Sequence, residues 1–163
     1  MLTAVRDRIL PLSIVLASTS PRRKSILSSC GVRFTTVDPN VPEDLQPAAF
    51  PSICDFVEAL AKLKSDAAVK NLSQKADLVI SADTIVFFED HVLGKPADRE
   101  EAVKMLSRLS GKPHEVYTGV SLVWLDKENN VLEQDLFSER TKVYMTEMDE
   151  STIQAYVDTG EPL

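Results

Sequence analysis

The run Leu12–Ala17, LSIVLA, passes without a break into Ser18-Thr19-Ser20-Pro21-Arg22-Arg23, and this junction constrains the fold more than any other stretch. A short, almost wholly apolar and partly β-branched segment is the pattern of a strand buried on both faces, as in the sheets of α/β proteins. Ser20 suits a helix N-cap and Pro21 the first helical position, so the sequence predicts a helix from Arg22 to about Cys30, which Gly31 ends. A buried strand therefore delivers the chain straight into a helix N-terminus.

The remaining elements alternate in the same way. Val32 to Val37 reads as a second strand, and the following VDPNVPEDLQPAAFP holds four prolines and must be a loop. Ser52 and Asp55 form a capping box with Asp in place of the usual Glu. From there Ile53, Phe56, Val57, Leu60, Leu63, Ala67 and Ala68 fall at helical spacing to about Asn71. ADLVISADTIVFFEDHVLGKP reads as a buried strand, a turn at Glu89-Asp90 and a short return strand closing at Gly94-Lys95-Pro96. Asp98 caps a helix carrying Ala102, Met105, Leu106 and Leu109, which Gly111 terminates. His114 to Leu125 and Val131 to Met145 form a hairpin across Lys127-Glu128-Asn129-Asn130, and a last helix runs from about Glu150 to Asp158. With no repeat, low-complexity tract or linker, residues 1–163 read as one α/β domain built on a mixed sheet.

Charge and composition limit the partners. A net charge of -7 argues against a nucleic-acid polymer or an anionic membrane surface, both of which are held by clustered excess Lys and Arg. A small polyanion needs only a few cations converging in one cleft, and 18 Lys and Arg suffice for that. No stretch approaches the roughly 18–20 apolar residues of a membrane span. The N-terminal apolar run is interrupted by Arg6, Asp7, Arg8 and Pro11, unlike a signal peptide. Cys30 and Cys54 lack CxxC spacing and read as free thiols of a reducing compartment, so a cytoplasmic location is expected.

Several residues carry candidate chemistry. In SxSPRR, hydroxyls, free backbone N–H groups, the positive end of a helix dipole and two arginines meet after a buried strand, which is a phosphate site in outline, although neither a P-loop nor a GxGxxG turn. An ordinary solvated first turn would also accommodate Arg22 and Arg23. Lys64 lies along the apolar stripe with Phe56 and Leu60, where it either snorkels at the stripe's edge or meets a partner. Asp83, amid VISADTIVFF, must meet a cation, a metal or several donors, since an unpaired buried carboxylate costs several kcal/mol. Beside a phosphate site such a carboxylate would hold Mg²⁺ or activate water; capping a nearby loop is the alternative. Lys95 and Glu43 are by themselves a turn lysine and a loop acid. His91 and His114 have no metal-ligand spacing, so zinc is not expected.

Taken in order, ASTSPRR, ALAKLKS, SADTIV, LGKP, LSGKPHEVYTGV and YVDTGEPL closely resemble the Maf family of nucleotide pyrophosphatases, over essentially the whole chain from Leu12. The resemblance implies an α/β fold similar to that of the inosine triphosphatases: a mixed twisted sheet flanked by helices. It implies hydrolysis of a nucleoside triphosphate to monophosphate and pyrophosphate, as house-cleaning of nucleotide pools. Ser18, Arg22 and Arg23 would contact the triphosphate, Glu43 and Asp83 would serve metal and water, with Asp83 as general base, and Lys64 and Lys95 would neutralise phosphate charge. Mg²⁺, replaceable by Mn²⁺ or another divalent cation, would be the cofactor. Arg22 after Ser-Pro and Thr84 after Asp83 look like the branch acting on dTTP and UTP; a branch preferring 7-methyl-GTP typically has Trp and Gln there. Family members also pair as homodimers. The family continues beyond GEPL with further strand and helix, so the fold is expected to be incomplete at the C-terminus. A nucleotide-binding or regulatory module without turnover, or an inactive truncation, would carry the same residues.

Overall fold

The computed structural model describes residues 2–42 and 44–162. Among the described residues six strands and five α-helices are interspersed along the chain, so the expected mixed α/β class is what forms. β1 (Ile14–Ala17) is buried at all four positions, as its composition predicts. It pairs in parallel with β2 (Thr35–Val37) on one side and with β3 (Leu78–Phe88) on the other, Ala17 facing Ser81 in the register. The sheet continues through β5 (Pro113–Leu125) to β6 (Val131–Tyr144), giving the order β2-β1-β3-β5-β6, while β4 (His91–Leu93) pairs antiparallel with β3.

Local chemistry explains most boundaries. α2 (Pro21–Ser29) starts at Ser20, whose side chain accepts from the Arg23 N–H, with Pro21 in its first turn. It ends in a Schellman motif: Gly31 has φ +76° and donates to the Ser28 carbonyl, while Val32 donates to that of Leu27. Because the Val32 N–H is consumed by this cap, β2 begins only at Thr35 and is shorter than the expected Val32–Val37 strand. α3 (Ile53–Lys70) opens at Ser52, which accepts from the Asp55 N–H at 3.1 Å and donates to the Asp55 carboxylate at 2.6 Å. α4 (Arg99–Leu109) and α5 (Glu150–Asp158) open at Asp98 and Asp149, whose carboxylates accept from the Glu101 and Thr152 N–H groups. A 3₁₀ turn (Leu2–Val5) and the single-turn α1 (Arg6–Ile9) precede β1; at four residues each they carry no periodic signal. Cys30 and Cys54 are free thiols, as expected.

The chain forms two compact units. The first, residues 1–83 and 118–138, packs α3 on the sheet around Val15, Ala17, Ala68, Ala76, Val79, Val123 and Leu125. α3 buries Phe56, Val57, Leu60, Ala61, Lys64, Ser65 and Ala68, an apolar stripe interrupted by one cation. β6 stands at the end of the strand order, and in this unit Val131, Leu132, Leu136 and Phe137 on it are exposed.

The second unit, residues 84–117 and 139–163, packs α4 on α5 through Ala102, Leu106, Ile153 and Val157. Its β3–β4 turn is made by Glu89 and Asp90 at φ +49° and +61°. Two residues in the left-handed region give a turn whose twist matches that of the flanking strands. Arg108 and Lys112 bind the Glu89 carboxylate at 3.2 and 3.4 Å and lie over the Phe88 ring. The Arg108 hydrogen bond holds that carboxyl below its ordinary range against the opposing effect of burial, and Lys112 adds to the lowering.

Candidate active site

At the carboxyl end of β1, Ser18 is buried and sits under the start of α2. Its Oγ accepts from the Ser20 N–H at 3.1 Å and from Arg23 Nη1 at 3.4 Å. Ser20 in turn accepts from the Arg23 N–H. Hydroxyls, guanidinium and helix N-terminus are thus joined in one turn, with Arg23 half-buried and Arg22 exposed. The first-turn N–H groups of a helix have no partner within the helix, so this end favours an anion.

Lys64 and Asp83 answer the question that their positions raise. Both are buried, at 8% and 7% of their full exposure. Lys64 Nζ donates to Asp83 Oδ1, joining α3 to β3 by a buried ion pair. The lysine on the apolar stripe and the carboxylate in the apolar strand are each other's partner. Asp83 lies two residues beyond Ser81, the register partner of Ala17 where β1 ends, so β3 outruns β1 and carries Asp83 past its carboxyl end. Ser18 leaves β1 at that same end. In open α/β sheets ligands bind outside the carboxyl ends of strands, where helix N-termini converge.

The other expected residues are placed as follows. Thr84, next along β3, is exposed, as strand alternation requires beside a buried Asp83. Lys95 is exposed in the second unit, in the segment after β4. Glu43 lies outside the described residues. Among the described residues no three or more His, Cys, Asp or Glu, His91 and His114 included, come together as a group that could hold a metal ion. Among those residues no helix is long and apolar enough to cross a membrane.

Sequence reading misses a buried set of serines beside the pair. Ser65 Oγ and Ser121 Oγ are 2.9 Å apart, and Gln134 Nε2 reaches them at 3.3 and 3.1 Å. Ser81 Oγ donates to the Ala61 carbonyl at 2.6 Å. A lone serine within an apolar strand, as in VISAD or GVSLV, is the only signal, and it is faint because serine is equally at home on a surface.

The family model described as Maf-like protein matches residues 13–163, and the chain belongs to the Maf-like family. A Homo sapiens relative, a probable bifunctional dTTP/UTP pyrophosphatase/methyltransferase protein, is 40% identical over 169 residues, spanning 100% of this chain and 27% of that protein. A dTTP/UTP pyrophosphatase of Bacillus anthracis is 45% identical over 150 residues, spanning 92% of this chain and 73% of that protein. One from Bacillus cereus matches equally, at 45% over the same span. The chain thus covers about a quarter of the human relative and nearly three quarters of the bacterial ones. A solved structure of a nucleoside-triphosphatase, or dITP/XTP pyrophosphatase, from Mycobacterium abscessus has a TM-score of 0.42 and 18% identity over 82% of this chain and 72% of its own.

Proposed function

We propose that the chain is a nucleoside triphosphate pyrophosphatase that hydrolyses dTTP and UTP to the monophosphate and pyrophosphate, and that residues 1–163 serve this reaction as one domain of the Maf type. The observation that carries the proposal is the buried ion pair between Lys64 of α3 and Asp83, which lies on the stretch of β3 that passes the end of β1; there Ser18, Arg23 and the α2 N-terminus would form an anion site. The names of the Bacillus and human relatives supply the substrate class.

Hydrolysis at the α-phosphorus forms a bond to water oxygen and breaks the α–β anhydride bond, with pyrophosphate as leaving group. Such chemistry asks a protein mainly to position the reactants and to stabilise developing charge. Ser18, Arg22 and Arg23 would bind phosphate oxygens, aided by the α2 dipole. Lys64 holds Asp83 in place, and Lys64 and Lys95 would neutralise phosphate charge. Asp83 would orient the attacking water and take its proton. Thr84 would contact the nucleotide and help to set the pyrimidine preference.

The donor set fits a hard divalent cation held largely by the substrate. Mg²⁺ keeps several waters and is bound through one or two carboxylates plus substrate phosphates, and a single buried carboxylate suits that role. Asp83, with Glu43, would hold it, and Mn²⁺ could take its place. When bound, the cation supplies neutralisation of phosphate charge.

The free thiols support a cytoplasmic location. The test is pyrophosphate release with Mg²⁺ from dTTP, UTP, CTP, GTP, 7-methyl-GTP and ITP, for the chain and for Asp83→Asn. Turnover of dTTP or UTP that disappears in the variant is expected. Turnover confined to purine nucleotides would overturn the substrate assignment, and binding of nucleotide without any turnover would favour a regulatory module.

A further inference from the structure

An ion pair between a helix and a strand depends on the height and tilt of that helix, and β5 supplies the contacts that set α3 against the sheet. Gly119 is buried on β5. A Cβ at that position would come within 2.7 Å of the Glu58 backbone nitrogen and would overlap the Val57 carbonyl. Only a residue without a side chain lets the β5 and α3 backbones approach this closely. Two residues further along β5 and on the same face, Ser121 is fully buried and shares a 2.9 Å hydrogen bond with Ser65, the neighbour of Lys64. Gln134 of β6 donates to both hydroxyls. α3 is therefore gauged sterically two helical turns before Lys64 and tied by hydrogen bonds immediately after it. Neither contact touches the ion pair itself.

We propose that Gly119 is a positioning residue for the pyrophosphatase reaction: by admitting the α3 backbone at Val57 and Glu58 it sets the height at which Lys64 meets Asp83, with Ser121 as the second fastening. The inference rests on the reading of Lys64 and Asp83 as catalytic groups. In Gly119→Ala the new methyl meets backbone rather than a movable side chain, so α3 and β5 must move apart. A displacement of about 1 Å of a catalytic group costs on the order of 100-fold in rate.

The experiment compares kcat and KM for dTTP and UTP in the parent chain, Gly119→Ala, Ser121→Ala, Lys64→Ala and the two double variants with Lys64→Ala. Alongside, acetylation of each lysine by acetic anhydride is measured by mass spectrometry well below the melting temperature. Gly119→Ala is expected to lower kcat by about 100-fold with KM nearly unchanged. In the Lys64→Ala background it should lower the rate no further, because the group it positions is gone. Lys64 should also become more reactive toward acetylation while the other lysines do not change. Ser121→Ala should repeat the pattern more weakly, and it decides the matter if Gly119→Ala does not fold. A rate loss that persists in full in the Lys64→Ala background would overturn the proposal, as would parental kcat or unaltered Lys64 reactivity in the folded variants. Parental turnover in Lys64→Ala would instead refute the catalytic reading of the pair, and the acetylation pattern would still report whether Gly119 positions Lys64.

Discussion

Removing the Asp83 charge has a cost that can be worked out from its surroundings. Lys64 and Asp83 retain about a tenth of their side-chain exposure, 11% and 10%, so each ion has lost most of its water and is stabilised by the other. Breaking a buried pair by deleting one partner leaves an uncompensated charge and typically costs about 3–5 kcal/mol. Asp83→Asn keeps an oxygen that can accept from Lys64 Nζ but carries no charge, so it falls at the lower end, about 3 kcal/mol. Asp83→Leu removes the acceptor as well as the charge at this position and falls toward about 5 kcal/mol. For a chain of 163 residues, at roughly 2–4 °C per kcal/mol, Asp83→Asn should lower Tm by about 6–12 °C. The double variant Lys64→Met/Asp83→Leu removes both charges and fills the space with apolar atoms, and should return to within about 1 kcal/mol of the parent or exceed it. Urea titration followed by circular dichroism gives these stabilities, and pyrophosphate release with dTTP gives activity, which should be absent from all three variants. An Asp83→Leu chain as stable as the parent would show that the pair is not desolvated. A double variant as unstable as Asp83→Leu would show that the loss arises from packing rather than charge.

The remaining expectations concern caps, acid stability and metal dependence. Loss of an N-cap hydroxyl costs about 1 kcal/mol, and Ser52→Ala should cost more than Ser20→Ala, because Ser52 accepts at 3.1 Å and Ser20 only at 3.5 Å. Denaturant titration checks this, and the reverse order would sink the geometric argument. The Tyr117 hydroxyl, and secondarily Arg140, holds the Glu115 carboxyl below its ordinary range, against a smaller effect of burial. A depressed carboxyl contributes stability above its unfolded pKa of about 4.3 that is lost as pH falls through the lower folded value. Tyr117→Phe should therefore raise the pH at which acid unfolding sets in, and an unmoved midpoint would remove that linkage. Chelation by EDTA should abolish dTTP turnover without altering Tm, whereas EDTA-resistant turnover would eliminate the divalent cation from the reaction.

Elements whose signals are local were legible. The Ser20, Ser52 and Asp98 caps, the glycines after α2 and α4, and the all-apolar β1 each depend on a few adjacent residues, and the structure forms them where those residues stand. β2 shows where locality failed: Val32 belongs to the β-branched run, yet its N–H closes the helix cap. In the site, the stripe position of Lys64 and the apolar neighbours of Asp83 each demanded a partner. That the two satisfy one another depends on the register of α3 against β3, across 19 residues of chain, and no spacing rule carries that information. The same holds for Gly119 and the Ser65–Ser121 bond, which are visible only as small residues in an apolar strand until α3 is laid against them.

The distribution of charge among helix starts connects these levels. α3, α4 and α5 carry acid in the first turn, Asp55, Glu100 with Glu101, and Glu150, as the helix dipole favours. α2 has no acid in its first turn and places Arg22 and Arg23 there instead, and it buries no side chain that would compensate. Toward the dipole alone this is an unfavourable arrangement, since cations oppose the positive end of a helix. An anion bound at that end would reverse the sign of the interaction and draw on the dipole, the N–H groups and both guanidinium groups at once. The strain is small and sits at the carboxyl end of β1, on the strand next to the one that carries Asp83. The dipole rule is broken at α2, where a polyphosphate would restore it, and it is kept at α3, α4 and α5.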